Sequence, residues 1–280
     1  MVSLSKYCEI NEKEVVFEHP TTKEKMHLRP EDSIKAQNDI GSDIMMALDD
    51  VIKTTTSGPR VEEACHRTVR WIDRCLDANR NPEKYFMFNL FGDLRLGVFI
   101  LLKIIFRQNL FPIVQGGLDL RLRDICLNEL TKRNANGFAI GGLSGGESKL
   151  DFVKVNKLTK TKYQVVSYCT KKLPENKPRY LMGVGFPEDL VICVSLGVDM
   201  FDCVFPSRTA RFGNALTDYG PLKLTSAKYK FDFNPVDAEC DCEVRIFINF
   251  FFFFNFSVVQ LIPDLIYILL QQKKNFQVLF

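Results

Sequence analysis

The strongest constraint on this chain is a recurring order: a short apolar run, a glycine or an acid at its end, then a helical stretch. Residues 43–48 (DIMMAL) close on Asp49-Asp50. After Ser57-Gly58-Pro59, the residues Val61, Cys65, Thr68, Ile72 and Leu76 recur at helical spacing as far as Asn79. Residues 110–114 lead into Gln115-Gly116-Gly117 and a helix over 118–133. Residues 137–140 lead into Gly141-Gly142, and residues 180–182 into Gly183-Val184-Gly185 and a helical stretch over 187–196. A last apolar run covers 200–205. This alternation predicts a parallel α/β fold. In barrels and open sheets alike, the carboxyl ends of the strands hold the functional groups. Periodicity does not choose between the two.

Before the first repeat, residues 13–30 predict a hairpin. Val15 and Phe17 alternate with polar neighbours, 20–22 turn, and Met26 and Leu28 alternate again. Pro30-Glu31-Asp32 then opens a helix with acids in its first turn, ending near Gly41. The formal charge of +3 is too small to indicate a nucleic-acid binder, so local patches must carry that argument. Lys6, Glu9, Glu12 and Lys13 interrupt any apolar run at the start, so no signal peptide is expected. The nine scattered cysteines are expected to be reduced.

The chemistry concentrates in residues 197–211, GVDMFDCVFPSRTAR. Asp202 lies inside the apolar run, where a strand would hold its carboxylate stiffly and partly out of water. Pro206 is expected to end that strand. Arg208 and Arg211 follow in a basic loop, two forked cations suited to phosphates or guanine edges. A framed carboxylate beside a basic loop suggests chemistry on a charged substrate such as nucleic acid. A buried structural Asp beside a solvated basic turn is the alternative. His66 reads as a packing or surface residue, since no partner ligand is spaced with it.

GVDMFDCVFPSRTARFGNAL resembles the signature of the tRNA-guanine transglycosylases, in particular the catalytic subunit type of the queuine tRNA-ribosyltransferases. The resemblance returns in blocks at 43–50, 58–84, 108–149, 172–212 and 231–242. It implies a TIM (β/α)8-type barrel over 1–245 and exchange of guanine for queuine at the tRNA wobble position. By position Asp202 is the nucleophile, forming a covalent ester with the ribose. Asp49, Gln115 and the backbone N–H near Gly142 would read the base edge, with Met182 packed on its face. Bacterial members have Val where this chain has Gly145, and Cys where it has Val51. Removing a side chain at Gly145 should make room for the cyclopentenediol of queuine. Ser207, Arg208, Thr209, Ala210 and Arg211 match the loop that recognises the wobble nucleotide and its neighbours. The implied partners are tRNA with a G-U-N anticodon, queuine, guanine and a non-catalytic accessory subunit in a heterodimer. The implied location is the cytoplasm, including the mitochondrial outer surface.

The sequence also departs from the family. Residues 85–107 and about 155–164 have no family counterpart, and 246–280 form an atypical hydrophobic tail with five consecutive phenylalanines, 250–254. All three read as intron-like stretches of an imperfect gene model or variant transcript; cloning the transcript tests that. The family motif Asp-Ser-Gly-Gly-Phe-Gln, whose aspartate is the proposed general base, precedes the family's counterpart of Met1-Val2-Ser3-Leu4. The barrel is therefore expected to lack its first strands, and its activity is in question. The family's structural zinc site would use Cys240 and Cys242. Its third position is Arg245 and no histidine follows, so weak or no zinc binding is expected. The other readings are a catalytically inactive tRNA-binding or regulatory subunit, a fragment that does not fold, and a membrane protein resting on the tail alone.

Overall fold

The computed structural model describes residues 8–54, 56–79, 83–89, 101–144, 155–217, 219–230, 232, 234 and 236. Two bodies are distinguished, Met1–Met182 with Val191–Phe201, and Gly183–Leu190 with Asp202–Phe280.

The first body opens on an antiparallel meander of β1 (Cys8–Ile10), β2 (Val15–Glu18) and β3 (Lys25–Leu28). The β2–β3 pair is the hairpin expected over 13–30. Helix α1 (Pro30–Ile40) starts on Pro30, whose missing N–H is unneeded in the first turn, and ends at Gly41, where φ is +82°. Strand β4 (Ile44–Met46) follows. Gln37 of α1 pairs with it as a strand would: the Met46 N–H donates to Oε1 at 2.8 Å, and Nε2 donates to the Met46 carbonyl at 2.9 Å. Helix α2 (Pro59–Ala78) buries one stripe, Val61, Ala64, Cys65, Thr68, Trp71, Ile72 and Cys75, as its 3.6-residue spacing requires. Its Trp71 indole donates to the Glu12 carbonyl at 2.8 Å, tying the helix to the meander.

Strands β5 (Glu83–Asn89) and β6 (Leu101–Arg107) pair antiparallel with each other. The stretch singled out at 85–107 thus contributes a hairpin. The parallel order runs from β4 past it to β7 (Asn109–Phe111) and β8 (Ile113–Val114). These two were expected as one strand; Pro112, which has no N–H to donate, divides them. The pairing continues nonetheless, because the Ala139 N–H donates to the Pro112 carbonyl at 2.9 Å. Helix α3 (Leu120–Leu130) is capped by Asp119, whose carboxylate accepts from the N–H groups of Arg121 and Leu122. Strand β9 (Phe138–Ile140), helix α4 (Val155–Lys172), strand β10 (Arg179–Leu181), helix α5 (Pro187–Ser195) and strand β11 (Met200–Phe201) complete the series. Residues 155–164 form the start of α4, continuous with its remaining turns over 165–172.

The parallel pairs form two sheets, β4 with β7 past the β5–β6 pair, and β8, β9, β10 and β11 in chain order. An open doubly wound sheet reverses order at a switch point; this series does not. The core lies between strand residues Met45, Leu110, Ile113, Val114, Phe138, Ile140 and Leu181 and the inward faces of the helices. Among the described residues no helix is long and apolar enough to cross a membrane.

The second body contains helix α6 (Phe205–Arg211), the hairpin β12 (Asn214–Thr217) with β13 (Gly220–Lys223), and a 3-10 turn, Ala227–Tyr229. The expected strand over 200–205 is only two residues long. Pro206 does not end a strand: it occupies the first turn of α6, where its fixed φ favours the helix.

Candidate active site

In the first body, the loops after β4, β8 and β9 bring Asp49, Gln115 and Gly141-Gly142 together. Gln115 is fully buried and its Nε2 donates to Asp49 Oδ2 at 2.6 Å. Its Oε1 is buried without a hydrogen-bond partner. Gly142 has φ +72°, and a Cβ there would lie 2.5 Å from that Oε1. A Cβ on Gly141 would meet the Gln115 Nε2 at 2.8 Å and Met182 Sδ at 3.6 Å. The backbone therefore approaches one side of the Gln115 amide at a distance that only glycine permits. Desolvation pushes the Asp49 carboxyl up to about 6, opposed by the Gln115 hydrogen bond, which favours the ionised form. At neutral pH it is still mostly a carboxylate, able to accept two N–H bonds from one edge of a planar base.

Asp50, the next residue, has a different role. It is fully buried and bound by two arginines of α2. Arg60 reaches both of its oxygens at 2.6 and 2.9 Å, Arg67 binds Oδ2 at 2.5 Å, and its own N–H donates to the Thr68 hydroxyl. Asp50 joins the strand end to α2 and has no free edge for a ligand.

In the second body, Asp202 follows β11 in the chain and is exposed, against the expectation of a partly desolvated strand residue. The strand has ended before it, so its side chain is not framed by sheet neighbours. Its Oδ1 accepts from the Gly183 N–H at 2.7 Å. Gly185 makes this possible: a Cβ there would stand 2.2 Å from the Cys203 Cβ, so only glycine lets the two segments meet. The five residues expected in a basic recognition loop lie on α6 instead. Arg208 and Arg211 are exposed, three apart on one face. The Thr209 hydroxyl donates back to the Phe205 and Pro206 carbonyls, Ser207 is half-buried and Ala210 is buried. Arg208 and Arg211 are thus available to an anionic ligand, and Ala210 is a packing residue.

A model of the queuine tRNA-ribosyltransferase family matches residues 1–245. The chain belongs to that family. It is 50% identical over 237 residues to the queuine tRNA-ribosyltransferase catalytic subunit of Schizosaccharomyces pombe, a match covering 85% of this chain and 50% of the relative. It is 48% identical over 238 residues to the catalytic subunit of Caenorhabditis elegans, covering 85% and 51%. It is 42% identical over 241 residues to the queuine tRNA-ribosyltransferase of Deinococcus radiodurans, covering 85% and 52%. The chain spans about half the length of the curated relatives it matches.

Two site residues of this ribosyltransferase-family chain were not found by reading its sequence. The Gly183 amide that holds Asp202 is a backbone group and leaves no side-chain signal. Arg123 is fully buried beneath the Gln115 and Gly141 loops. A signal existed: it shares a helical stripe with Cys126, Leu127 and Leu130, where a charged residue is out of place. Gly145, Cys240, Cys242 and the tail 246–280 lie outside the described residues. Among the described residues no cluster of three or more His, Cys, Asp or Glu side chains could hold a metal.

Proposed function

We propose that this chain carries the base-exchange chemistry of a tRNA-guanine transglycosylase, replacing guanine at the anticodon wobble position with queuine. The observation that carries the reading is the Asp49–Gln115–Gly142 cluster: a desolvated carboxylate, hydrogen-bonded to a buried amide whose oxygen is orphaned, with a glycine backbone packed against that amide. Asp49 accepts from the ring N–H and exocyclic amine of the purine. The Gly142 N–H and, once released from Asp49, the Gln115 amide meet its carbonyl. Met182 covers the base face.

Asp202 is the nucleophile. Its carboxylate attacks C1′ of the wobble guanosine as the C1′–N9 bond breaks, giving a ribosyl ester and free guanine. Queuine N9 then attacks C1′ and the ester bond breaks, so two inversions retain configuration. The proton lost by the incoming N9–H balances the one gained by the departing guanine. The Gly183 hydrogen bond orients the carboxylate for both steps. Arg208 and Arg211 bind the tRNA backbone or guanine edges beside the wobble nucleotide.

The consecutive parallel order of β4, β7/β8, β9, β10 and β11 favours a TIM-type barrel, which adds strands in that way. The accessory subunit and a cytoplasmic or mitochondrial-surface location belong to the same proposal. Incubating the chain, with and without that subunit, with guanine-wobble tRNA and labelled guanine or queuine tests it. Label entering the tRNA, and lost in Asp202→Asn, is the expected result. tRNA bound without exchange would make this a catalytically inactive tRNA-binding or regulatory subunit.

A further inference from the structure

Arg123 is a fully buried cation whose side-chain nitrogens all face backbone carbonyls. Nε donates to Gly117 at 2.9 Å, Nη1 to Val114 at 2.7 Å and Nη2 to Gly141 at 2.8 Å. Val114 immediately precedes Gln115, Gly117 closes the Gln-Gly-Gly turn, and Gly141 immediately precedes Gly142. One planar group therefore holds both loops that bear the base-reading atoms. Its Nη2 lies 3.6 Å from where a Gly142 Cβ would stand. The same helix holds Gln115 a second time, through the Gln115 N–H to Cys126 Sγ at 3.3 Å.

A charge is costly at this position, because burial removes it from water and the groups it meets are neutral carbonyls. An aliphatic side chain would fill the same stripe of α3 without that cost. What only arginine supplies is a rigid fork that reaches three acceptors in one plane; a lysine ammonium is a single point on a flexible stem.

We propose that Arg123 is the positioning residue of the base pocket, tying the ends of β8 and β9 together and so fixing the spacing between the Gln115 amide and the Gly142 backbone. The proposal rests on the base-site reading above. The clamp sets the two loop ends before the base arrives, leaving only the Gln115 side chain to be released from Asp49, and it does so through a side chain that never touches the base.

The first test needs no variant. Side-chain 15N NMR of the wild-type chain should show Arg123 with separate, slowly averaging Nη signals, whereas freely averaged Nη signals would overturn the clamp. The second follows the Asp49 carboxyl by 13C NMR, with a midpoint of about 6 expected in the wild type. Loosening Gln115 removes the hydrogen bond that favours the carboxylate, so the midpoint should rise in Arg123→Met and in the control Gln115→Leu, and rise less in Arg123→Lys. Asp50 and Cys75, which also face Asp49, are the same in all these proteins and do not produce the difference. An unmoved midpoint in folded Arg123→Met would sink the proposal. Guanine affinity by calorimetry should fall about tenfold in Arg123→Met, with part recovered in Arg123→Lys. If Arg123→Met does not fold, Arg123→Lys and the wild-type spectrum decide. If the wild type binds no guanine, the base-site reading fails, while the titration and the Nη signals still decide the clamp.

Discussion

The two carboxylates assigned to the reaction sit in opposite surroundings. Asp49, proposed to read the base, is drawn out of water until its proton is held to about pH 6, and its partner is a buried side chain. Asp202, the proposed nucleophile, is exposed and accepts a hydrogen bond from the Gly183 N–H. The difference matches the tasks. Reading a base edge needs a few hydrogen bonds strengthened by a low local dielectric. Attack at C1′ needs a carboxylate that an RNA ribose can reach from outside. The recognition wall is built into the packing of the first body; the nucleophile is presented on a segment made by glycines.

The sharpest way to break this comparison is Asp202→Asn. It removes the attacking charge but leaves every contact of the base slot in the first body. Exchange of labelled guanine into tRNA should fall by about 10⁴-fold or more, as when other essential nucleophiles are removed. The covalent RNA–protein adduct on denaturing gels should vanish, and guanine affinity should stay within about twofold. A parallel loss of guanine affinity would show that the two carboxylates do not divide the work.

Asp50→Ala comes next and contrasts the adjacent acids. It leaves Arg60 and Arg67 facing each other without the carboxylate that both bind, so on the order of 3–5 kcal/mol of stability should be lost in urea unfolding. Asp49→Asn should do the reverse. A carboxyl with a folded pKa of about 6 against an ordinary 3.8 holds its proton more tightly folded than unfolded. It therefore disfavours folding increasingly as pH rises from about 4 to 6, and fully above that. Removing the charge should raise stability at pH 7–8 by on the order of 1–3 kcal/mol. The same change should cost about a hundredfold in guanine affinity, because two charge-assisted hydrogen bonds are weakened. A variant at once more stable and unable to bind base would identify Asp49 as a functional group maintained at the expense of the fold.

Gly142→Ala tests the slot itself. The new methyl would lie 2.5 Å from Gln115 Oε1 on a backbone at φ +72°, so the loop must shift. Guanine affinity should fall roughly tenfold or more with a stability loss of about 1–2 kcal/mol, readable by calorimetry and thermal melts.

Much of this was legible in the sequence because the parallel strands announce themselves: apolar runs followed by Asp49, Gln115 and Gly142 mark both the alternation and three residues that the structure brings together. The β2–β3 hairpin and helix α2 came from period and turn chemistry alone. What escaped has a common physical origin. Pro206 obeys two rules, strand end and helix first turn, and only the tertiary setting selects the second. The exposure of Asp202 stems from the early end of β11, which apolar runs do not reveal. The different fates of Asp49 and Asp50 depend on which side of the strand end faces Arg60 and Arg67, a three-dimensional fact. Arg123 was discoverable only by asking why a cation stands at a core position.

The mildest prediction concerns pH. Base reading needs Asp49 ionised, since a protonated carboxyl offers a donor where the purine also offers donors. With its proton held to about 6, guanine affinity should change little between pH 8 and 7. It should fall about twofold by pH 6 and then approach about tenfold per further unit. Guanine binding and base exchange are followed separately on the same protein. Calorimetry between pH 5 and 8 reads the first and label incorporation the second. Binding that holds constant down to pH 5 would mean that the fold does not draw Asp49 out of water, and the contrast between the two carboxylates would disappear.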